Sequence, residues 1–286
     1  MKHGLVLEGG GLRGLFSAGI MDILMEAGVC FDGVVGVSSG ACFGCNYKSH
    51  QPGRVLRYNL RYAHNLRYCS LWSWLTTGGI FGPRFAYYDL PLRLDPFDIP
   101  TFDRDPMEFH LVTTDVDTGA AVYRRFDHFT EDMLEWILAS SSMPIVSRIV
   151  TIGGQRLLDG GIADSIPLRY FQEQGFERNL VILTQPADYQ KQPLGHLPII
   201  RRALRHAPAL LTAWEHRHEM YNAQLRYIAE QQAAGNCLIL CPEHTLPVGR
   251  ISHNRSHMRA AYSLGRTLTL SQLPRIKAFL ADSLNP

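Results

Sequence analysis

Ser38 stands at the centre of the pentapeptide Gly36-Val37-Ser38-Ser39-Gly40, a spacing that is typical of a nucleophilic serine. In the Gly-x-Ser-x-Gly motif the serine occupies a sharp turn between a strand and a helix, and small neighbours are required because the two elements nearly touch. An apolar segment precedes Ser38 and small residues follow it, so the local sequence predicts strand, turn and helix in that order. We predict that Ser38 is an acyl-transfer nucleophile, with Gly36 and Gly40 forming the elbow; a buried structural serine is the alternative.

A glycine-rich run, Gly9-Gly10-Gly11-Leu12-Arg13-Gly14, lies upstream between a strand-like segment and a helical pattern. Its spacing also matches Gly-x-Gly-x-x-Gly, the phosphate-binding turn of dinucleotide-binding proteins. That turn needs an acidic residue at the end of the second strand to bind the ribose hydroxyls. Here the second strand ends at Ser38, and Asp32 lies at its other end. The dinucleotide site is therefore the weaker of two interpretations.

The second interpretation is an oxyanion hole. Consecutive glycines at a helix N-terminus expose backbone N–H groups with no side chain in the way. One such donor, aimed at the oxygen of a tetrahedral acyl intermediate, typically stabilises the transition state by about 2.7–4 kcal/mol. We predict that Gly9, Gly10, Gly11 and Gly14 form this oxyanion loop. Arg13 either orients the loop and adds positive potential, or is a solvated surface side chain.

A serine nucleophile needs a base, and Asp159 is the candidate. It follows two leucines and precedes Gly160 and Gly161, so it is predicted to end a strand where the backbone turns sharply. On its own, Asp-Gly-Gly is a common turn sequence, and a plain turn residue is the default interpretation.

Together and in this order, the three motifs resemble the patatin-like phospholipase family, which combines a glycine-rich oxyanion loop, Gly-x-Ser-x-Gly and an Asp-Gly-Gly turn. The segment Ser140-Ser141-Ser142-Met143-Pro144 also looks like a small-residue segment of that family. The resemblance covers roughly residues 1–190 and implies a serine hydrolase of phospholipase A or lysophospholipase type. In it Ser38 and Asp159 would form a catalytic dyad acting on a lipid or fatty-acyl ester, with no metal and no organic cofactor.

A Ser-Asp dyad raises a chemical difficulty, because an aspartate with an ordinary pKa of about 3.9 is a weak base at neutral pH. Raising that pKa to about 7 corresponds to about 4 kcal/mol, and desolvation in an apolar cleft supplies part of the shift. One alternative is a Ser-Asp-His triad, for which His244 and His253 are candidates because both follow Asp159 in the chain. Another is a non-catalytic lipid- or nucleotide-binding protein that uses the glycine loop.

These motifs need a scaffold that brings them together. Strand-like and helix-like segments alternate through the first two thirds of the chain, which predicts a three-layer α/β/α sandwich with a mainly parallel central sheet. Open sheets of this class carry their sites at the carboxyl ends of the strands. We divide the chain into a catalytic domain, residues 1–190, and a mostly helical C-terminal extension, residues 191–286, which is compatible with packing on that domain. The segment Gln190-Lys191-Gln192-Pro193 is interpreted as the linker.

Composition narrows the function classes. The chain has 286 residues, of which 46% are hydrophobic, and a net charge of +2, so a large core is expected and nothing favours nucleic-acid binding. It shows no signal-peptide pattern and no run of 18 apolar residues. We therefore expect a cytoplasmic protein whose contact with a membrane, at the inner face, would be peripheral. Cys42 and Cys45 form one Cys-x-x-Cys without a second pair, which favours packing of the elbow helix over metal binding.

Two segments bear on the substrate. Leu71-Trp72-Ser73-Trp74-Leu75 is aromatic and apolar; lining of an acyl-chain channel, an interfacial lid and core packing all remain open. The preceding segment is basic through Arg54, Arg57, Arg61 and Arg67. That pattern indicates either a surface for anionic lipid head groups or a solvated helix face.

Overall fold

The computed structural model describes residues 1–281, and these form one eight-stranded sheet with helices on both faces. The strands are β1 Lys2–Leu7, β2 Gly33–Val37, β3 Glu108–Asp115, β4 Ala121–Phe126, β5 Val150–Ile152, β6 Gln155–Asp159, β7 Phe176–Ile182 and β8 Cys237–Leu240. The helices are α1 Gly14–Glu26, α2 Ser39–Lys48, α3 Arg54–Tyr62, α4 Leu71–Thr77, α5 Ile99–Arg104, α6 Glu131–Ser140, α7 Leu168–Glu173, α8 Leu197–Ala203, α9 Pro208–Glu215, α10 Arg217–Ala233 and α11 Arg255–Ala281. Two 3-10 turns, Gly11–Arg13 and Gly160–Ile162, and a π-helix, Phe85–Leu94, complete the helical segments.

The sheet is mainly parallel. Hydrogen-bonded neighbours follow the order β5-β6-β3-β2-β1-β7-β8, with β4 paired to β3. The pairs that join β3, β2, β1, β7 and β8 are parallel, whereas β4, β5 and β6 make antiparallel pairs. The predicted α/β sandwich with a mainly parallel sheet is therefore confirmed.

The two faces of the sheet are buried under different helices. Successive side chains of a strand point to opposite faces, and in β1 Leu5 and Leu7 pack in one apolar cluster while Val6 packs in another. The first cluster includes residues of α1, α2, α6 and α11, and the second includes residues of α7 and α10. Because both faces are covered, β2 and β3 are buried along their whole length.

The pairing of β3 brings two chain segments end to end. One edge of β3 pairs with β4 from Phe109 to Thr114. The other edge pairs with β2 as far as Val112 and then with β6 from Thr113 onward. Since β6 runs antiparallel to β3, its carboxyl end at Asp159 meets the carboxyl end of β2, directly before Ser38.

The C-terminal part of the chain is joined to this sheet. Strand β8 pairs in parallel with β7, and α11 lies against α1 through two glycines. A Cβ atom at Gly19 would lie 2.1 Å from the carbonyl oxygen of Tyr262, and one at Gly265 would lie 2.1 Å from that of Phe16. The two helices therefore touch backbone to backbone.

The two segments discussed for the substrate differ in their environments. Core packing is wrong for most of the Leu71–Leu75 segment, because Leu71 and Leu75 are each 72% exposed and Trp72 is 59% exposed. Arg54, by contrast, is buried and donates to Asn46 Oδ1 over 2.7 Å, so neither a lipid-facing nor a solvated position is right for it. None of the helices in the described part of the chain has the length and apolar character needed to cross a membrane.

Candidate active site

Ser38 occupies a strained turn between β2 and α2. Its backbone angles are φ 56° and ψ −120°, a region that costs a non-glycine residue about 1–3 kcal/mol. A Cβ atom at Gly36 would lie 2.4 Å from the carbonyl carbon of Gly40, and one at Gly40 would lie 2.4 Å from the carbonyl oxygen of Leu7. Both glycines are therefore required by close approach of the helix to the strands, as the motif predicts.

The side chain of Ser140, the last residue of α6, fixes the Ser38 turn through hydrogen bonds. The backbone N–H of Ser38 donates to Ser140 Oγ over 3.0 Å, and that hydroxyl donates to the carbonyl oxygen of Val112 over 2.7 Å. Ser140 is fully buried. The strained conformation of Ser38 is thus tied through one side chain to the middle of the sheet.

The glycine run forms a loop that packs directly against the elbow. Gly10 N–H donates to Ser39 Oγ over 2.9 Å, and Leu12 N–H donates to the carbonyl oxygen of Arg250 over 3.0 Å. Gly11 has a φ of +59° and lines the space beside Ser38. Within residues 1–281 the N–H of Gly11 has no protein acceptor, whereas that of Gly10 is already bound.

Arg13 packs into the protein instead of extending into water. It is half-buried, and its Nη2 lies 3.5 Å from Thr184 Oγ1. Thr184 also donates its hydroxyl to buried Glu8 over 3.0 Å, and Tyr221 donates to the other oxygen of Glu8 over 2.7 Å. Burial lowers the pKa of Arg13, and the nearby Glu8 opposes that shift.

Asp159 is buried beside Ser38. Its Oδ1 accepts the N–H of Gly161 over 2.8 Å, and its side chain lines the same cavity as Ser38. Burial raises the pKa of Asp159; the positive charge of Arg217, the Ser38 hydroxyl and the Gly161 N–H partly offset this rise. Desolvation is the largest of these effects, so the net change is a raised pKa, which makes the carboxylate a stronger base.

Two cavities meet at Ser38. The first is apolar and is lined by Cys42, Phe43, Tyr58, Leu90 and Met133, among others. Burial raises the pKa of the Cys42 thiol to about 11, so it remains neutral and counts as part of an apolar wall. This cavity has the character of a site for a hydrocarbon chain.

The second cavity extends from Ser38 and Asp159 toward the C-terminal part of the chain and, unlike the first, has several charged side chains in its lining. It is lined by Lys191, Arg217 and Arg250. Neither cavity is lined by a histidine from the described residues. The side chain of His244 is 87% exposed, and His253 Nδ1 lies 2.6 Å from the carbonyl oxygen of Ala63.

Sequence reasoning missed several residues of this site. Ser140 carried a signal, since it begins the small-residue run before Pro144, but the run does not show which serine reaches Ser38. No signal in the sequence marked Lys191, Arg217 and Arg250, because single basic residues in polar segments look like solvated side chains. In residues 1–281 no group of three or more His, Cys, Asp or Glu side chains is placed to hold a metal ion.

Comparison with known proteins gives two family matches. A family model described as patatin-like phospholipase matches residues 5–171, and one described only as a domain of unknown function (DUF6363) matches residues 207–281. An uncharacterized Escherichia coli protein, YjjU, is 32% identical over 66% of this chain and 54% of its own length. The lysophospholipase NTE1 of Eremothecium gossypii is 27% identical over 60% of this chain and 11% of its own.

The chain thus spans about half the length of the first relative and about a tenth of the second. Among solved structures, VipD from Legionella pneumophila aligns over 96% of this chain and 67% of its own, at 12% identity and a TM-score of 0.48. The family match over residues 5–171 and the topology of the sheet show the fold.

Proposed function

This chain belongs to the patatin-like phospholipase family, and on that premise we propose that it hydrolyses acyl esters of lipids, as a phospholipase A or a lysophospholipase does. The observation that carries the proposal is the pairing of a strained, half-buried Ser38 with the buried carboxylate of Asp159 at the mouth of an apolar cavity. The lysophospholipases among its relatives support the substrate class.

The proposed reaction proceeds through an acyl-enzyme. Asp159 accepts the hydroxyl proton of Ser38 as Oγ attacks the ester carbonyl carbon, and the same carboxyl then gives that proton to the departing alcohol oxygen. Water next attacks the acyl-Ser38 ester, with Asp159 again accepting a proton, and the fatty acid leaves as Ser38 regains its hydrogen. The raised pKa of Asp159 supports both transfers, because it strengthens the carboxylate as a base.

The oxyanion is assigned to the glycine loop, and within it to Gly11. Its N–H has no protein acceptor within the described residues, and it lies where both cavities meet. Gly10 supports the loop through Ser39 instead. A single well-aimed donor of this kind contributes about 2.7–4 kcal/mol to transition-state stabilisation.

The substrate reaches the site from a lipid surface through α4. Its residues Leu71, Trp72 and Leu75 are exposed, and Trp74 Nε1 donates to the carbonyl oxygen of Ile145, which lines the second cavity. Exposed tryptophan and leucine side chains beside a cavity are suited to the boundary between head groups and acyl chains. Leu75→Ser should weaken sedimentation with phospholipid vesicles, and Leu270→Ser on α11 serves as the exposed control; equal binding by both would refute this contact.

We also propose that the C-terminal extension, residues 191–286, supports the catalytic domain, residues 1–190. The carbonyl oxygen of Arg250 holds Leu12 N–H in the oxyanion loop, and α11 packs on α1. On this proposal a change in the α1–α11 contact lowers both stability and turnover.

Release of fatty acid from a lysophospholipid tests the function. Wild-type protein should release it, and Ser38→Ala should not, although its circular dichroism and melting temperature stay those of a folded protein. Lipid binding without fatty-acid release by the wild type would favour the non-catalytic alternative. Release by Ser38→Ala would remove the serine mechanism.

A further inference from the structure

The second cavity contains four basic side chains close to the proposed reaction centre. Lys191, Arg217 and Arg250 line it together with Arg13 of the glycine loop, and we call this set the cationic chamber. Only Arg13 falls within residues 5–171, the part matched by the phospholipase family model. The other three belong to the C-terminal extension, which therefore shapes the cleft as well as supporting it.

The residues of the chamber are positioned by contacts other than ion pairs. The main chain of Lys191 is tied to Asn222 by two hydrogen bonds, of 2.9 Å and 3.0 Å. The Lys191 ammonium lies 4.3 Å from the centre of the Tyr221 ring. Arg250 is fixed through its backbone carbonyl, which accepts the N–H of Leu12.

Arg217 forms the side of the chamber nearest to the dyad. Its Nε donates to the carbonyl oxygen of Gly161, the residue whose N–H binds Asp159. One guanidinium nitrogen is thus occupied by backbone. Its Nη2 would lie 3.0 Å from a Cβ atom built at Gly161, so the guanidinium lies directly beside the turn that follows Asp159.

Glu8 and Asp159 line the same cavity, but neither makes a close ion pair with the basic side chains of the chamber. No carboxylate of the described residues lies within 4.0 Å of a charged nitrogen of Arg13, Lys191, Arg217 or Arg250. Glu8 already accepts hydrogen bonds from Thr184 and Tyr221. Burial lowers the pKa of Lys191 to about 7, and the neighbouring arginines add to this effect. Cations gathered in this way are stabilised by an anion that enters the cavity.

We propose that the cationic chamber binds the phosphate of the lipid head group, so that the substrates are phospholipids or lysophospholipids with a net negative head group. The inference rests on the proposed function, since Ser38 lies where the two cavities meet. With the acyl chain in the apolar cavity, the ester lies at Ser38 and the phosphate extends toward Arg217, Lys191 and Arg250. Guanidinium groups suit phosphate because they donate two parallel hydrogen bonds. A head group with its own cation, such as choline, gains less binding free energy in the cationic chamber.

The test compares two substrates that differ in the phosphate alone, lysophosphatidate and the monoacylglycerol with the same acyl chain. Lys191→Met should lower kcat/KM for lysophosphatidate about tenfold or more, as expected for loss of a charge-assisted hydrogen bond. It should leave kcat/KM for monoacylglycerol within about twofold, a margin well below that tenfold unit. Lys277→Met, an exposed lysine of α11, is the matched control. Equal losses on both substrates, or no loss on either, would overturn the proposal.

Inorganic phosphate separates a head-group site from a site for the free anion. Competition with lysophosphatidate but not with monoacylglycerol, absent in Lys191→Met, supports the head group. If phosphate changes turnover of both substrates equally, the site is one for the free anion and the proposal is wrong.

A failure of the proposed function can be told apart from a failure of this inference. If the wild type hydrolyses neither lipid, calorimetric binding of each to Ser38→Ala still tests the chamber. Tighter binding of lysophosphatidate, lost with Lys191→Met, supports the chamber without the reaction. Equal binding of the two lipids refutes it.

Discussion

Ser140→Ala should lower activity although Ser140 lines neither of the two cavities. The change removes the hydroxyl that accepts the N–H of Ser38 and donates to the carbonyl oxygen of Val112. Ser38 is then left with a strained backbone and an N–H that has lost its partner in a buried setting.

The size of the effect follows from these contacts. A buried donor without a partner costs about 1–3 kcal/mol, and the strain at φ 56° is of similar size. If the turn relaxes and Ser38 leaves its position for attack on the ester, the cost of about 1–3 kcal/mol adds to the activation free energy of the reaction. There, 1.36 kcal/mol corresponds to about a tenfold change in rate. We expect kcat/KM to fall by about 5- to 150-fold, together with a lower melting temperature.

Ser142→Ala is the matched control. Ser142 is equally buried, and its hydroxyl donates to the carbonyl oxygen of Leu138 over 2.7 Å, within the same helix end. The two variants should lose similar stability in urea or thermal unfolding, but only Ser140→Ala should lose turnover of a simple acyl ester. Wild-type kcat/KM in Ser140→Ala would refute the argument that this side chain sets the geometry of the elbow.

Three more outcomes follow from the site. Asp159→Asn should abolish ester turnover, and Asp164→Asn, another buried aspartate whose partners are Tyr123 and Gln224, should retain it; equal losses would contradict the dyad. Since burial raises the pKa of Asp159 above its ordinary value of 3.8, turnover should rise with pH along a limb whose midpoint lies above that value, and a midpoint at or below it would count against desolvation. Gly265→Ala should lower the melting temperature and turnover because its Cβ meets a carbonyl oxygen of α1, whereas Gly195→Ala, with open space around it, should change neither.

The raised pKa of Asp159 also makes the stability of the folded protein depend on pH. An aspartate whose native pKa is raised keeps its proton in the folded state at a pH where the unfolded chain has lost it. Its contribution to stability is therefore lost as the pH rises from 3.8 through the native pKa. Asp159→Asn should consequently melt higher than the wild type at pH 7, and the difference should shrink as the pH falls toward 4.

The elbow and the sheet could be predicted from the sequence because their signals are local. Gly36 and Gly40 indicate that a helix touches a strand. The alternation of strand-like and helix-like segments indicates the layers of the α/β/α sandwich. The hairpin partner of β3 and the strand before Asp159 are also visible as short apolar runs.

The meeting of Ser38 with Asp159 could be expected from the family resemblance but not from local sequence. It depends on β6 occupying the edge of β3 where β2 stops, a pairing between segments far apart in the chain. The cationic chamber could not be expected either. Lys191 lies in a segment whose composition is that of a linker, and only the packing of α10 reveals that it faces the cleft.

The most direct test of the account is covalent labelling of the folded protein with a fluorophosphonate, followed by peptide mass spectrometry. We expect one adduct, on Ser38, that is absent from Ser38→Ala and forms more slowly in Asp159→Asn. An adduct on another residue, or none on a wild-type sample shown to be folded, would contradict the claim that Ser38 is an activated nucleophile.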